Sequence, residues 1–260
     1  HLSFILYYKN NSDYFKMWKK KVYIKNNLAP FELNRTKIDL YFDCKKCFFF
    51  NTKKGIRRPH GPPSVLNNTV IKLVKDHFDL LRLKKNVTNG IINNKNLIPI
   101  NHESLEIWRN PLVGVSFLHK GTNLKLTATL NDLWFDKDVK KICVVDFKST
   151  SKSKNLNESI VWSGYWRHLA YYKYLLEKNG LDVSNVGYLL ILNGKKNQKT
   201  FENKLYFDSH LFSKVLDNYW VEDTIYNIYN TLENDQIPTQ KNNCAYCNYF
   251  SNLESVNGKL

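Results

Sequence analysis

Nowhere does the sequence offer the roughly 20 consecutive apolar residues that a membrane-spanning helix needs, so the chain reads as soluble and without a membrane partner. Its apolar start, His1 to Tyr8, is short and precedes the basic run Lys19-Lys20-Lys21, the wrong order for a secretory signal, and the expected setting is therefore cytoplasmic. Methionine does not stand at position 1, which reads as a trimmed chain or a piece of a longer one. Acidic residues are scarce beside basic ones, 23 Asp and Glu against 39 Lys and Arg, for a formal net charge of +16. That excess goes beyond what solubility needs and points to a polyanionic partner, against the plainer reading of a Lys- and Asn-rich composition inherited from AT-biased coding. Cysteine is sparse and odd in number, which argues against a disulfide framework: Cys44, Cys47, Cys143, Cys244 and Cys247.

What is present is ample material for a core, with 43% hydrophobic residues, 15 Phe and 16 Tyr in 260 residues. The expected division is an N-terminal extension carrying the first cysteine pair (1–60), a core (61–240) and a cysteine-bearing tail (241–260). The loop Gly55 to Pro63 is broken by Pro and Gly and cannot be a helix interior or a central strand. Apolar residues from Val65 to Leu81 fall at helical spacing and predict a helix over about 65–84. After an Asn-rich stretch, His102 to Arg109 reads as a short helix or strand and Leu112 to Leu118 as a strand. Glu158 opens a helical pattern that stops at Gly180, Val186 to Leu192 reads as a buried strand, and Leu205 with Phe207 as a short one. Leu211 to Leu232 has the spacing of a long amphipathic helix, ended by Pro238.

The stretch Val144-Val145-Asp146-Phe147-Lys148 is the unusual one. An apolar run reading as a buried strand leads into a carboxylate and an ammonium two residues apart, which alternation places on one face. Charges on a core strand are expensive unless they are paired, hold a metal or do chemistry; otherwise the pair marks a strand end reaching solvent. Upstream, Leu124 to Trp134 alternates apolar and polar, so that Leu124, Leu126, Ala128, Leu130, Asp132 and Trp134 are expected to share a face. The polar link 136–140 turns back into the Asp146 strand, and an antiparallel hairpin would bring Asp132 within about 8 Å of the Val144–Asp146 region. Two carboxylates and an ammonium could then converge.

An Asp, a turn and then Asp-x-Lys at a strand end resembles the PD-(D/E)XK nuclease superfamily, in particular its RecB-type exonuclease branch. The resemblance is sharp only from Asp132 to Tyr172. It implies an α/β, restriction-endonuclease-like core with a mixed β-sheet flanked by helices, and a Mg²⁺- or Mn²⁺-dependent DNA nuclease, exonuclease-like, working in repair, recombination or defence, with a helicase or other repair protein as a partner. Asp132, Asp146 and the Phe147 backbone carbonyl would hold the metal, and Lys148 would orient or deprotonate the attacking water. The branch carries a Gln-x-x-x-Tyr helix after its Asp-x-Lys strand; here Tyr172 matches and His168 stands in place of Gln. Relatives also carry an acidic or His ligand on the first core helix, where this chain has Ile71; His77, Asp79, Glu103 or Glu106 would have to substitute. Trp162, Tyr165 and Trp166 are candidates for base stacking. The competing expectation is a nucleic-acid-binding protein on the same fold without catalysis.

The two Cys-x-x-C pairs, Cys44 with Cys47 and Cys244 with Cys247, are expected to share one metal site joined by the fold, with two unrelated thiol pairs as the alternative. Four thiolates suit structural Zn²⁺ or a [4Fe–4S] cluster. Some RecB-type nucleases hold such a cluster with one upstream and three downstream cysteines, whereas the split here is two and two. Cys143, inside the strand run, reads as a small buried hydrophobe.

Overall fold

The computed structural model describes residues 21–59, 61, 62, 64–84, 90–92, 94–153 and 156–257. The apolar start of the chain lies outside them, as do Lys19 and Lys20.

The chain enters with strand β1 (Phe31–Asn34), whose last residue caps helix α1 (Arg35–Asp43): the Asn34 side chain accepts from the Lys37 N–H at 3.0 Å. Cys44 is extended and breaks α1 from α2 (Lys45–Lys53). After the Pro- and Gly-rich loop comes α3 (Val65–Leu83), within a residue of the helix expected there. Then follow β2 (Leu97–Pro99), the short helix α4 (Leu105–Arg109), β3 (Val115–His119), β4 (Leu124–Ala128), β5 (Asp132–Asp136) and β6 (Lys141–Thr150). A 3-10 turn at Glu158–Ile160 leads into α5 (Ser163–Lys178), which ends before Gly180 at φ +87°, a left-handed position that suits glycine. The chain closes with β7 (Val186–Gly194), β8 (Phe207–Val215), α6 (Trp220–Glu233) and α7 (Ala245–Asn257).

The fold is mixed α/β. Five strands form one sheet in the order β2-β5-β6-β7-β8, antiparallel except for β6 beside β7, and three form a smaller sheet, β1-β4-β3. The parallel pair β6/β7 is joined through α5, the connection a parallel pair requires. Helices cover both faces of the larger sheet. Val74 and Phe78 of α3 pack with Trp134, Val145, Phe147 and Leu190 on one side, while Leu169 and Leu175 of α5 pack with Leu133, Val144 and Leu189 on the other. Among the described residues no helix is long and apolar enough to cross a membrane.

Two expectations are corrected. The alternating segment from Leu124 to Trp134 is two strands in two sheets, parted at residues 129–131, where Leu130 donates its N–H to the Trp108 carbonyl at 3.0 Å and Arg109 Nε donates to the Asn131 carbonyl at 3.0 Å. The expected helix from Leu211 begins only at Trp220. Residues 211–215 continue β8, where Leu211 pairs with Leu190 and Phe212 with Leu189.

Candidate active site and four-cysteine centre

The β5/β6 hairpin forms as expected, closed by a turn in which Lys140 adopts φ +54°. Its register sets Asp132 opposite Val145 and Leu133 opposite Val144. Residues directly opposite on an antiparallel ladder share a face, so Asp132 lies on the α3 side with Val145 and Phe147, whereas Asp146 and Lys148 lie on the α5 side. The expected placement of Asp132 opposite the Val144–Asp146 region therefore holds, but by parity of register the Asp132 and Asp146 side chains leave the ladder on opposite faces.

Asp132 is locked where it sits. Its Oδ1 accepts from Arg109 Nη2 at 2.9 Å and from the Leu133 N–H at 2.8 Å and contacts Arg82, and its Oδ2 accepts from Trp134 Nε1 at 3.2 Å. Burial pushes its carboxyl pKa up, against the pull of the two guanidinium groups. Asp79 closes the cluster on Arg109 Nη1 at 2.8 Å. Of the possible substitute ligands on this side, Glu103 and Glu106 are exposed, His77 packs edge-on against Phe78, and Ile71 joins the apolar cluster under α3.

Asp146 is the opposite case. It is fully buried, and neither of its oxygens accepts a hydrogen bond from a described residue. Lys148 Nζ lies 2.6 Å from Oδ2 as a counter-charge outside hydrogen-bonding geometry. The ammonium also sits 5.1 Å from the centre of the Tyr165 ring, with the side chain 23% exposed. Even with the Lys148 ammonium beside it, burying this carboxylate costs several kcal/mol of desolvation, and lone pairs are left over. A hard cation with its waters would satisfy those lone pairs. Asn131, just before β5, accepts from the Phe147 N–H through its Oδ1 at 3.1 Å, past the end of the ladder. The N–H and C=O of one strand residue point to the same edge, so the Phe147 carbonyl points to the edge where Asn131 lies.

Around Asp146 the charges are positive. Arg35 on α1 and Lys75 on α3 both feel its field, as do Tyr165, His168 and Tyr172 on α5. Burial raises the pKa of Tyr172 and lowers that of Lys75. His168 is not free to meet a phosphate. Its Nε2 lies 2.8 Å from Asp39 Oδ2 and 2.9 Å from Arg35 Nη1, and Arg35 Nη1 lies 3.2 Å from Nδ1, so both ring nitrogens are engaged. Arg167 Nη2 donates to Asp39 Oδ1 at 2.9 Å, completing a network between α1 and α5. Burial lowers the His168 pKa despite Asp39, and Asp39 is held below its ordinary range by His168 and Arg167 against the effect of burial. Of the aromatic candidates, Trp166 is core, whereas Trp162 is 52% exposed and meets Tyr165 edge-on at 5.2 Å. Thus Asp146, Lys148, His168 and Tyr172 come together and Asp132 does not. Arg35 and Asp39 join them, through His168, without any motif to announce them.

The second constellation is the cysteines. Cys44 caps α2 and Cys47 lies in its first turn; Cys244 precedes α7 and Cys247 lies in its first turn. Two helix N-termini therefore face one another across four sulfurs, an arrangement that favours thiolates. All four Sγ atoms lie within 4.8 Å of one another, so the expectation of one shared site, compatible with a metal, holds as geometry. Burial alone would raise the Cys44 thiol, but backbone N–H groups of Lys241 and Cys47 bring it to about 7, while burial raises Cys47 and Cys247. Arg58 Nη2 donates to Cys244 Sγ at 3.4 Å, pairs with Asp43 and stacks on Tyr246 with 4.5 Å to the ring centre. Cys143 is buried in the sheet, apart from this group, and burial raises its pKa to about 12.

No protein-family model matches this sequence, and no curated protein matches it.

Proposed function

We propose that the chain is a metal-dependent DNA nuclease on a restriction-endonuclease-like core, hydrolysing phosphodiester bonds in the cytoplasm, with single-stranded or ended DNA as its substrate. The observation that carries this reading is Asp146, a fully buried carboxylate with both oxygens free of hydrogen bonds beside the Lys148 ammonium. The order α3, β5, β6, α5, β7, with the Asp-x-Lys pair on a central strand, agrees with it.

The residues present fit Mg²⁺ through one carboxylate, the Phe147 carbonyl and the substrate's own phosphate, since Mg²⁺ keeps several waters and commonly takes one or two carboxylates. Bound there, it would supply Lewis-acid stabilisation of the phosphoryl oxygens and a more acidic water. Lys148 orients the attacking water and offsets charge on the phosphate; Arg35 and Lys75 add to the positive field that draws the backbone in. Trp162 offers a base a face to stack on.

Cleavage of single- and double-stranded DNA with Mg²⁺ or Mn²⁺, on protein purified without oxygen, tests the reading. Asp146→Ala and Lys148→Ala are each expected to lower the rate by about 10²–10³ or more, the scale of losing a charge-stabilising group. A second reading, DNA binding without hydrolysis, is favoured by the position of Asp132, held away from the site by Arg82 and Arg109. It predicts that the unaltered chain binds DNA and cleaves none.

A further inference from the structure

The spacing of the four sulfurs says more than that a metal would fit. Cys47 Sγ lies 3.6 Å from Cys244 Sγ and 3.5 Å from Cys247 Sγ, and Cys44 Sγ lies 3.8 Å from Cys247 Sγ. With none of the four farther than 4.8 Å from another, they enclose a small tetrahedron. A zinc ion bonded to sulfur at about 2.3 Å needs tetrahedral edges of about 3.8 Å. A [4Fe–4S] cubane puts each thiolate on a different iron at an outward corner, which spreads the sulfurs to roughly 6 Å. A disulfide would need a sulfur pair at about 2.0 Å, far shorter than any of the three distances above.

We infer that Cys44, Cys47, Cys244 and Cys247 hold a single tetrahedral zinc ion and not an iron–sulfur cluster, and that Arg58 is its positioning cation. Two thiolates come from each of two facing helix N-termini, an arrangement with the two-and-two symmetry of one small ion. A tetrathiolate zinc centre carries two net negative charges, and the Arg58 guanidinium, held by Asp43 and Tyr246 while donating to Cys244 Sγ, offsets one of them. The inference does not rest on the nuclease reading; the centre is a staple between α2 and α7 whether or not DNA is cut.

Elemental analysis and absorption spectroscopy decide it on the full chain, purified without oxygen from medium containing both zinc and iron, then freed of metal and offered Co²⁺ or, separately, iron with sulfide. One zinc per chain, no visible absorption, one Co²⁺ bound with the intense visible bands of a tetrahedral tetrathiolate, and no cluster formed from iron and sulfide are expected. About four irons with sulfide per chain, before or after reconstitution, would overturn the inference, as would four free thiols that bind no Co²⁺, or two disulfides. Cys143→Ser is expected to leave the stoichiometry at one. Arg58→Ala is expected to keep one zinc but to lose it to a chelator about 10–100-fold faster, the usual cost of removing an outer partner of a metal ligand; an unchanged rate removes Arg58 from the proposal. DNA cleavage takes no part in any readout.

Discussion

Asp132 and Asp146 are both shut away from water, and their surroundings make opposite use of that. Asp132 sits between two buried guanidinium groups, so Asp132→Ala would leave them only the more exposed carboxylates of Asp79 and Glu106 and is expected to destabilise the fold by about 3 kcal/mol. Asp146 has only its ion pair with Lys148 to lose, and Lys148 can reach water once freed, so Asp146→Ala is expected to cost less than Asp132→Ala in the absence of metal. Thermal melts of the two variants with a chelator present compare them directly; equal losses would mean that Asp146 is held as firmly as Asp132. His168 adds a pH dependence. Its folded pKa lies below the ordinary 6.5, so its contribution is whole above about pH 6.5 and is lost as the pH falls toward the folded value. Asp39, also lowered, adds a second loss below its ordinary 3.8. His168→Gln is expected to flatten the melting temperature between pH 6.5 and 5 and to leave the loss at lower pH; a curve parallel to the unaltered chain's would show that His168 does not titrate there.

At the scale of elements, the sequence reveals what repeats locally and hides what depends on register. Helix α3 is legible because its apolar stripe keeps one period for five turns, and β6 because an apolar run ends in charges that alternation alone puts on one face. The face of Asp132 is not legible: adding or removing one residue in the turn at 137–140 would shift the ladder by one and carry Asp132 to the other side. The period-two signal also runs unbroken through residues 129–131, although the chain there leaves one sheet for another, because both sheets bury the same kind of side chain. In β8 the misreading has a similar origin, since Leu211, Val215 and Leu216 satisfy helical spacing while pairing with β7 decides otherwise. The cysteine site was legible as two pairs, but only the meeting of α2 and α7 shows that they are one. Arg35 and Asp39 carry no motif, and their approach to His168 comes from the packing of α1 against α5.

At the scale of the whole molecule, the charge of +16 is an expectation about partners that salt can test. If DNA lies along the positive surroundings of Asp146 and contacts about 6–10 phosphates, its affinity is expected to fall by about 10³–10⁵ between 50 and 200 mM salt. Asp146→Ala is expected to keep that slope while losing cleavage, which separates holding the polyanion from acting on it; a salt-independent affinity would refute the electrostatic reading.

The four sulfurs also set a timetable. Cys44 and Cys247 are 203 positions apart, so at about 5–20 residues per second the ribosome exposes the first thiol pair for roughly 10–40 s before the second pair exists. During synthesis α1 and α2 must wait, with two unpartnered thiols, for a closing helix that is among the last parts of the described chain to be made. Oxidants or competing metals that arrive in that interval would act on the nascent chain and not on the finished protein, and the yield of chains with the four sulfurs joined would depend on the pace of translation as well as on the stability of the fold.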